Sequence, residues 1–140
     1  MSDAIEDIFY KYLVKDATLA ALLGATGAET KISEGKYRGV LGAPHVELFK
    51  QAEGSADEIL DDYNFMVKVT VGNYDMNAAN IIKERLKALL DIQSAAQVIT
   101  GDTYFVCWCK HVGGTDDYDD DTKEVIKIMN FTAKFRVKSV

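Results

Sequence analysis

Proline is nearly absent from this chain. Pro44 is the only one in 140 residues, and the ten glycines are scattered rather than clustered. Neither a proline-rich spacer nor a flexible glycine-rich linker is therefore expected. Cysteine is equally scarce. Cys107 and Cys109 are the only two, one residue apart on an expected strand. Their Cα atoms would then lie ~6.5–7 Å apart, too far for an easy disulfide, which points to a reducing compartment. Followed by His111, they make no zinc-ligand spacing. The sequence also has no apolar run near the ~20 residues that a membrane-crossing helix needs. Its start, Met1-Ser2-Asp3-Ala4-Ile5-Glu6-Asp7, lacks the basic and apolar regions of a signal peptide. The expectation is a protein made in the cytosol, soluble and without a membrane partner.

An excess of basic charge is missing too. Twenty-two acidic residues against sixteen basic ones give a formal charge of −6. Such a chain repels phosphate backbones and anionic lipids, although it does not exclude a protein that DNA slides past. Apolar residues make up 48% and charged residues 27%. That composition supports one hydrophobic core in one domain spanning 1–140.

Periodicity gives the order of elements. Ile5, Ile8, Phe9, Tyr12 and Leu13 recur at helical spacing behind a Ser2 or Asp3 cap. Asp16 caps a shorter helix over 17–23 that Gly24 ends, and 24–27 is a turn. A weak strand or arm is expected over 30–37 and a loop over 38–43. A short strand over 45–49 follows Pro44, and a polar loop covers 51–57. The clearest strand lies within 59–73, where Phe65, Val67, Val69 and Val71 alternate with Met66, Lys68 and Thr70. Asp75 or Asn77 caps an amphipathic helix reaching about residue 90, its stripe formed by Ala78, Ile81, Ile82, Leu86, Leu89 and Leu90. Two strands finish the chain. In the first, 103–112, alternation puts Tyr104, Val106 and Trp108 on one face and Phe105, Cys107, Cys109 and His111 on the other. The second, 125–137, carries Val125, Met129, Phe131, Ala133, Phe135 and Val137 on one face. Its opposite face is apolar at Ile126 and Ile128 and basic at Lys134, Arg136 and Lys138. The fold class is α+β, an antiparallel or mixed sheet with helices on one face.

Catalytic signatures are lacking. There is no Walker loop, no Gly-x-Gly-x-x-Gly and no Gly-x-Ser-x-Gly elbow. His45 and His111 have no neighbour in sequence that would activate a nucleophile, and the scattered carboxylates Glu29, Glu34, Glu47, Glu53, Asp57 and Glu58 single out no acid–base pair. Neither a catalytic residue, a metal ligand nor a cofactor is assigned. The run Asp116, Asp117, Tyr118, Asp119, Asp120, Asp121 lacks the glycine of an EF-hand loop and reads as a flexible, solvated tip, with contact or lumen-lining in an assembly, or the binding of a hard cation, as its functional readings. The basic strip Lys134, Arg136, Lys138 with Lys123 and Lys127, near Trp108, Tyr104 and Phe105, would suit a nucleic-acid platform, but the net acidity favours a solvated face or one that meets an acidic neighbour. The last two strands have more apolar surface than one layer of helices can cover. That surplus must be buried either by a second sheet from the same chain or, equally naturally, by another copy of the chain.

The order of these elements resembles the tail terminator, or tail completion, proteins of long-tailed bacteriophages. The resemblance rests on the N-terminal helix followed by Asp16-Ala17-Thr18-Leu19-Ala20-Ala21-Leu22-Leu23-Gly24, and on Ala43-Pro44-His45-Val46-Glu47-Leu48. It continues through the long strand 63–71, the amphipathic helix 77–90 and the final hairpin. It implies an α/β sandwich and a non-enzymatic virion protein of the tail and neck, assembled in the host cytoplasm. Copies would form a homo-hexameric ring that caps the tail tube, stops its polymerisation and joins the tail to the head connector. Its partners would be itself, the tail tube protein and the connector, with DNA passing through the lumen unbound. Contacts would fall at Asp116, Asp117, Asp119, Asp120, Asp121, Lys134, Arg136 and Lys138, and at Lys36 and Arg38 on the arm. Two alternatives stand beside it: another neck, head-completion or minor tail component, and a stand-alone α+β enzyme or ligand-binding domain.

Overall fold

The computed structural model describes residues 5–24, 31–37, 44–55, 61–94, 97–101 and 104–137. The loop expected over 38–43, most of the turn 24–27, and the residues Arg38 and Lys138 lie outside them.

Two short helices open the described chain: α1 (Ile5–Val14) and α2 (Ala17–Leu22). Asp16 separates them and caps α2 by accepting a hydrogen bond from the Leu19 amide at 2.8 Å. One orphan amide of the first turn is thereby satisfied. Gly24 ends the helix at a φ of +71°, in the left-handed region that suits glycine. The same Asp16 carboxylate accepts from Arg85 Nε at 2.9 Å and Nη2 at 2.5 Å. This forked pair ties the α1–α2 corner to α3 (Met76–Leu89). Asp75 caps α3 by accepting from the Ala78 amide at 3.0 Å.

Among the described residues six strands form one sheet: β1 (Ile32–Glu34), β2 (His45–Ser55), β3 (Asp61–Val71), β4 (Ile99–Thr100), β5 (Tyr104–Asp119) and β6 (Glu124–Val137). The spatial order is β1-β2-β3-β6-β5-β4. Only the β1–β2 pairing is parallel; the other four are antiparallel. The sheet is thus mixed, and the α+β class is observed.

The helices cover one face. Tyr63, Phe65, Val67, Val69 and Val71 of β3 lie buried beside Val125, Met129, Phe131, Ala133 and Phe135 of β6. Phe9 of α1 sits over Phe65 with ring centroids 4.4 Å apart, and Phe65 stacks on Phe131 at 5.2 Å. Ile82, Leu86 and Leu90 complete the layer from the α3 side. Burying a side chain of this size contributes ~1.5–3 kcal/mol. The α3 stripe differs from expectation at two positions. Ile81 is exposed and Ala79 is fully buried, because the buried arc is centred on Ala79, Ile82, Leu86 and Leu90, turned away from Ile81.

Three strand expectations change. β2 runs on to Ser55 through an irregularity between Lys50 and Ala52, where a loop was expected. Simple alternation fails in β5. The register slips between Val106 and Trp108 and again between His111 and Gly113. Each extra residue flips the faces. Val106 and Cys109 therefore point into the core, while Trp108 pairs beside Lys134 on the other side. Finally, the acidic run is not a loose tip. β5 continues to Asp119, so Asp116, Asp117 and Asp119 stand on a strand paired with Lys127, Ile126 and Glu124. The turn itself is residues 120–123.

Candidate functional site

The helix-covered face leaves the opposite sheet face as the candidate interaction surface. Register assigns it His45, Glu47, Thr70 and Lys68 beside Ile126 and Ile128, and Phe49, Met66, Asn130, Thr132, Lys134, Arg136, Phe105 and Trp108. His45, Glu47 and Thr70 are buried, Arg136 is exposed and the others are half-buried. The face has two chemically distinct ends. Near the hairpin turn it is apolar at Ile126 and Ile128. At the base of the hairpin it is basic and aromatic. There the Arg136 guanidinium lies 5.1 Å from the centre of the Phe105 ring, in cation–π geometry.

The turn end carries the carboxylates, and the protein already uses several of them. Asp116 pairs with Lys127 at 2.8 Å. Lys127 is buried while Asp116 keeps about half its side chain in water, so the pair keeps a partner beside a shielded ammonium. Asp119 accepts from the amides of Asp121 at 3.1 Å and Thr122 at 3.3 Å, which shapes the turn. Asp117 accepts from the Tyr118 amide at 2.8 Å. Asp120 accepts from the Tyr74 hydroxyl at 2.9 Å.

Sequence reasoning missed Tyr74. It lies in the β3–α3 turn, where Asn73 and Tyr74 both adopt positive φ, +59° and +51°. Its amide donates to the Lys123 carbonyl at 2.9 Å. One residue therefore ties the hairpin turn to the start of α3 through backbone and side chain. The hydrogen bond to Asp120 pushes the Tyr74 pKa up, with minor contributions from desolvation and the nearby carboxylate charges. The Asn-Tyr pair after a glycine was the only signal, and it marks a turn without marking its partner.

The arm after β1 is fixed by a different group. The Tyr37 ring stacks on His45 at 4.0 Å, and the Tyr37 amide donates to Glu47 Oε2 at 2.9 Å. His45 Nε2 and Lys68 Nζ lie 3.8 and 3.9 Å from Glu47 Oε1. His45 and Glu47 are both buried. This cluster fastens the segment 35–37 across the outer face of β2, with Lys36 exposed beside it.

His111 has another setting. Its ring meets Phe131 edge-on at 5.3 Å, and its Nε2 is buried without a hydrogen-bond partner. It borders an open cleft of about 450 Å³ with Glu84, Lys87, Ala88, Asp91, Gln93 and Lys110. Burial, then the charges of Lys87 and Lys83, lower its pKa, so the ring is neutral near pH 7. Among the described residues no hydroxyl or thiol lines this cleft. A second cleft of about 430 Å³ lies between α1 and β4, lined by Ile8, Lys11, Tyr12, Lys15 and residues 98–101. Burial pushes the Cys109 thiol up to about 12, which leaves it protonated and inert. Among the described residues no three His, Cys, Asp or Glu side chains converge as a metal-ligand set, and no helix is long and apolar enough to cross a membrane.

The structure thus brings Asp116, Asp117, Asp119, Asp120 and Asp121 together at one end of the hairpin and sets Lys134 and Arg136 on the outer face at its other end. Lys36 is exposed on the arm next to Tyr37.

Neither a protein-family model nor a curated protein matches the sequence. Solved structures do match. The chain is similar to one from the virion of a native gene transfer agent particle, with a TM-score of 0.73, 17% identity and 95% of each chain covered. A second solved chain aligns over 99% of both chains at 13% identity and a TM-score of 0.54. At such identities the likeness is one of fold.

Proposed function

We propose that this chain is a non-enzymatic structural protein of a phage-like particle, and that within it the chain acts as a tail terminator. In this reading copies close into a hexameric ring at the end of the tail tube. The ring stops tube growth and joins the tail to the head connector. The observation that carries the reading is the end-to-end likeness of fold to a chain from a gene transfer agent virion.

The surface chemistry is consistent with it. The outer sheet face keeps Ile126, Ile128, Phe105 and Trp108 half-buried, with no helix of the described residues over them. Apolar sheet surface of that kind is stabilised by a protein neighbour. At −6 per copy, a ring repels a DNA backbone and lets it pass without adhering.

The test removes the chain from cells that make the particle and images the products by negative stain. The expected result is tail tubes of uncontrolled length, unattached to heads. Head-joined tails of normal length would refute the terminator role.

A further inference from the structure

The β5–β6 hairpin carries opposite charges at its two ends. The turn end presents Asp117, Asp120 and Asp121, all exposed, around Tyr118, which is 51% exposed. The base presents Arg136 and Lys134 beside Phe105 and Trp108. Ten residues of β6 separate Glu124 from Lys134, which is ~33 Å at the rise of a strand. Both groups ride on one hairpin, whose β6 strand runs unbroken between them, so within one chain they cannot meet. They can meet only between chains.

We propose that the acidic turn of one copy seats on the basic outer face at the hairpin base of the next copy. This rests on the ring reading above and names the surfaces through which neighbours touch. The chemistry matches on both counts. Carboxylates meet a guanidinium and an ammonium, and the exposed Tyr118 ring meets the Phe105 and Trp108 rings. The turn carboxylates retain acceptor capacity, because an ionised carboxylate has about four lone-pair sites and the internal bonds occupy only some of them. The contact is head-to-tail: the surface used on one copy differs from the surface used on its neighbour. Such contacts generate rings when the rotation closes. Exposed charge pairs of this kind set orientation and encounter rate, while the aromatic contact and the apolar strip at Ile126 and Ile128 supply burial.

The experiment uses the full chain, mixed in equal parts unlabelled and ¹⁵N-labelled, and treated with a zero-length carbodiimide at low ionic strength. Peptide pairs of mixed isotope joining residues 116–121 to Lys134 are expected. If Lys134 is joined to carboxylates only within its own chain, or to regions away from the turn, the proposal is overturned. Charge reversal gives the second arm. Asp120→Lys with Asp121→Lys, or Lys134→Glu with Arg136→Glu, each weakens self-association at least tenfold at low salt. Mixing the two variants restores it, because turns and bases then alternate in sign. Variants that assemble like the wild type would overturn this contact and leave the ring itself standing. A wild-type chain that stays monomeric both free and on tail tubes would overturn both. Tight binding of DNA at the hairpin base, lost in the Lys134→Glu/Arg136→Glu variant, would make that face a nucleic-acid surface and also overturn the proposal.

Discussion

Replacing Gly114 with alanine tests whether the hairpin truly extends through the acidic run. Gly114 pairs with Met129, five pairs before the end of the ladder at Asp119 and Glu124. A Cβ added there would lie 2.0 Å from the Ile128 carbonyl oxygen and 3.1 Å from its carbon. Carbon–oxygen contacts in sheets settle near ~3.3 Å, so the two strands must part by about 1.3 Å. The obstacle is backbone and cannot rotate away. Either the ladder strains, at about 1–3 kcal/mol for an overpacked site, or the pairs beyond residue 114 detach. In both cases stability falls by about 2 kcal/mol, equivalent to roughly 4–8 °C in midpoint for a chain of this size. Urea unfolding gives the energy, and amide exchange over 115–128 locates the damage. Thr115→Ala, at an exposed position on the same strand, serves as the control and stays within about 0.5 kcal/mol of wild type. If Gly114→Ala matched that control in stability and in protection, the strand would not pass this point as described.

Asp16→Ala removes the α2 cap and costs about 1 kcal/mol, measured by the same unfolding curves. The Asp16 pKa is lowered, first by the Arg85 hydrogen bond. Its stabilisation is therefore fully present above the usual carboxylate value and is lost as pH falls through the lowered one. Wild-type stability should decline below about pH 4, and the Asp16→Asn variant should lack that part of the decline. Asp116→Ala leaves the shielded Lys127 ammonium without its partner. Because Asp116 is half in water, about 1–2 kcal/mol is expected rather than the larger loss of a fully buried pair. Lys127→Met, which removes the charge itself, should cost less, and a reversed order would show that the pair contributes nothing. Cys109 should resist alkylation at pH 8 in the folded protein and react on unfolding; rapid native labelling, mapped by mass spectrometry, would contradict its buried protonated state.

Where side-chain pattern and backbone geometry agree, the sequence was legible. Asp16 and Asp75 announce helix starts because short carboxylates satisfy first-turn amides, and both caps are present. β3 alternates, and β6 does so from Met129 onward, because one face meets the helices and the other does not. The first half of β6 breaks the pattern, with Lys127 on the buried face and Ile126 and Ile128 on the outer one. The β5 faces were misassigned because its two register slips leave no mark in the residue types. The hairpin's length was missed because a stretch of Gly and Asp has low strand propensity. Pairing with the strongly β-forming 125–131 stretch overrides that. β4 has two residues, too short for any periodicity. The parallel β1–β2 pairing is set by the path of the intervening chain, which local pattern does not encode. As for the surface, the acidic and basic groups were both visible as residue types. Their placement at opposite ends of one hairpin follows from the register, and Tyr74 reaches Asp120 across 46 residues of sequence.

The most direct test of the whole account is an electron-microscopy reconstruction of the particle that carries this chain. A closed ring of copies is expected where the tail tube ends and the connector begins, each hairpin turn resting on its neighbour's hairpin base. Density for this fold as an isolated single copy, or its absence from the particle altogether, would contradict the account.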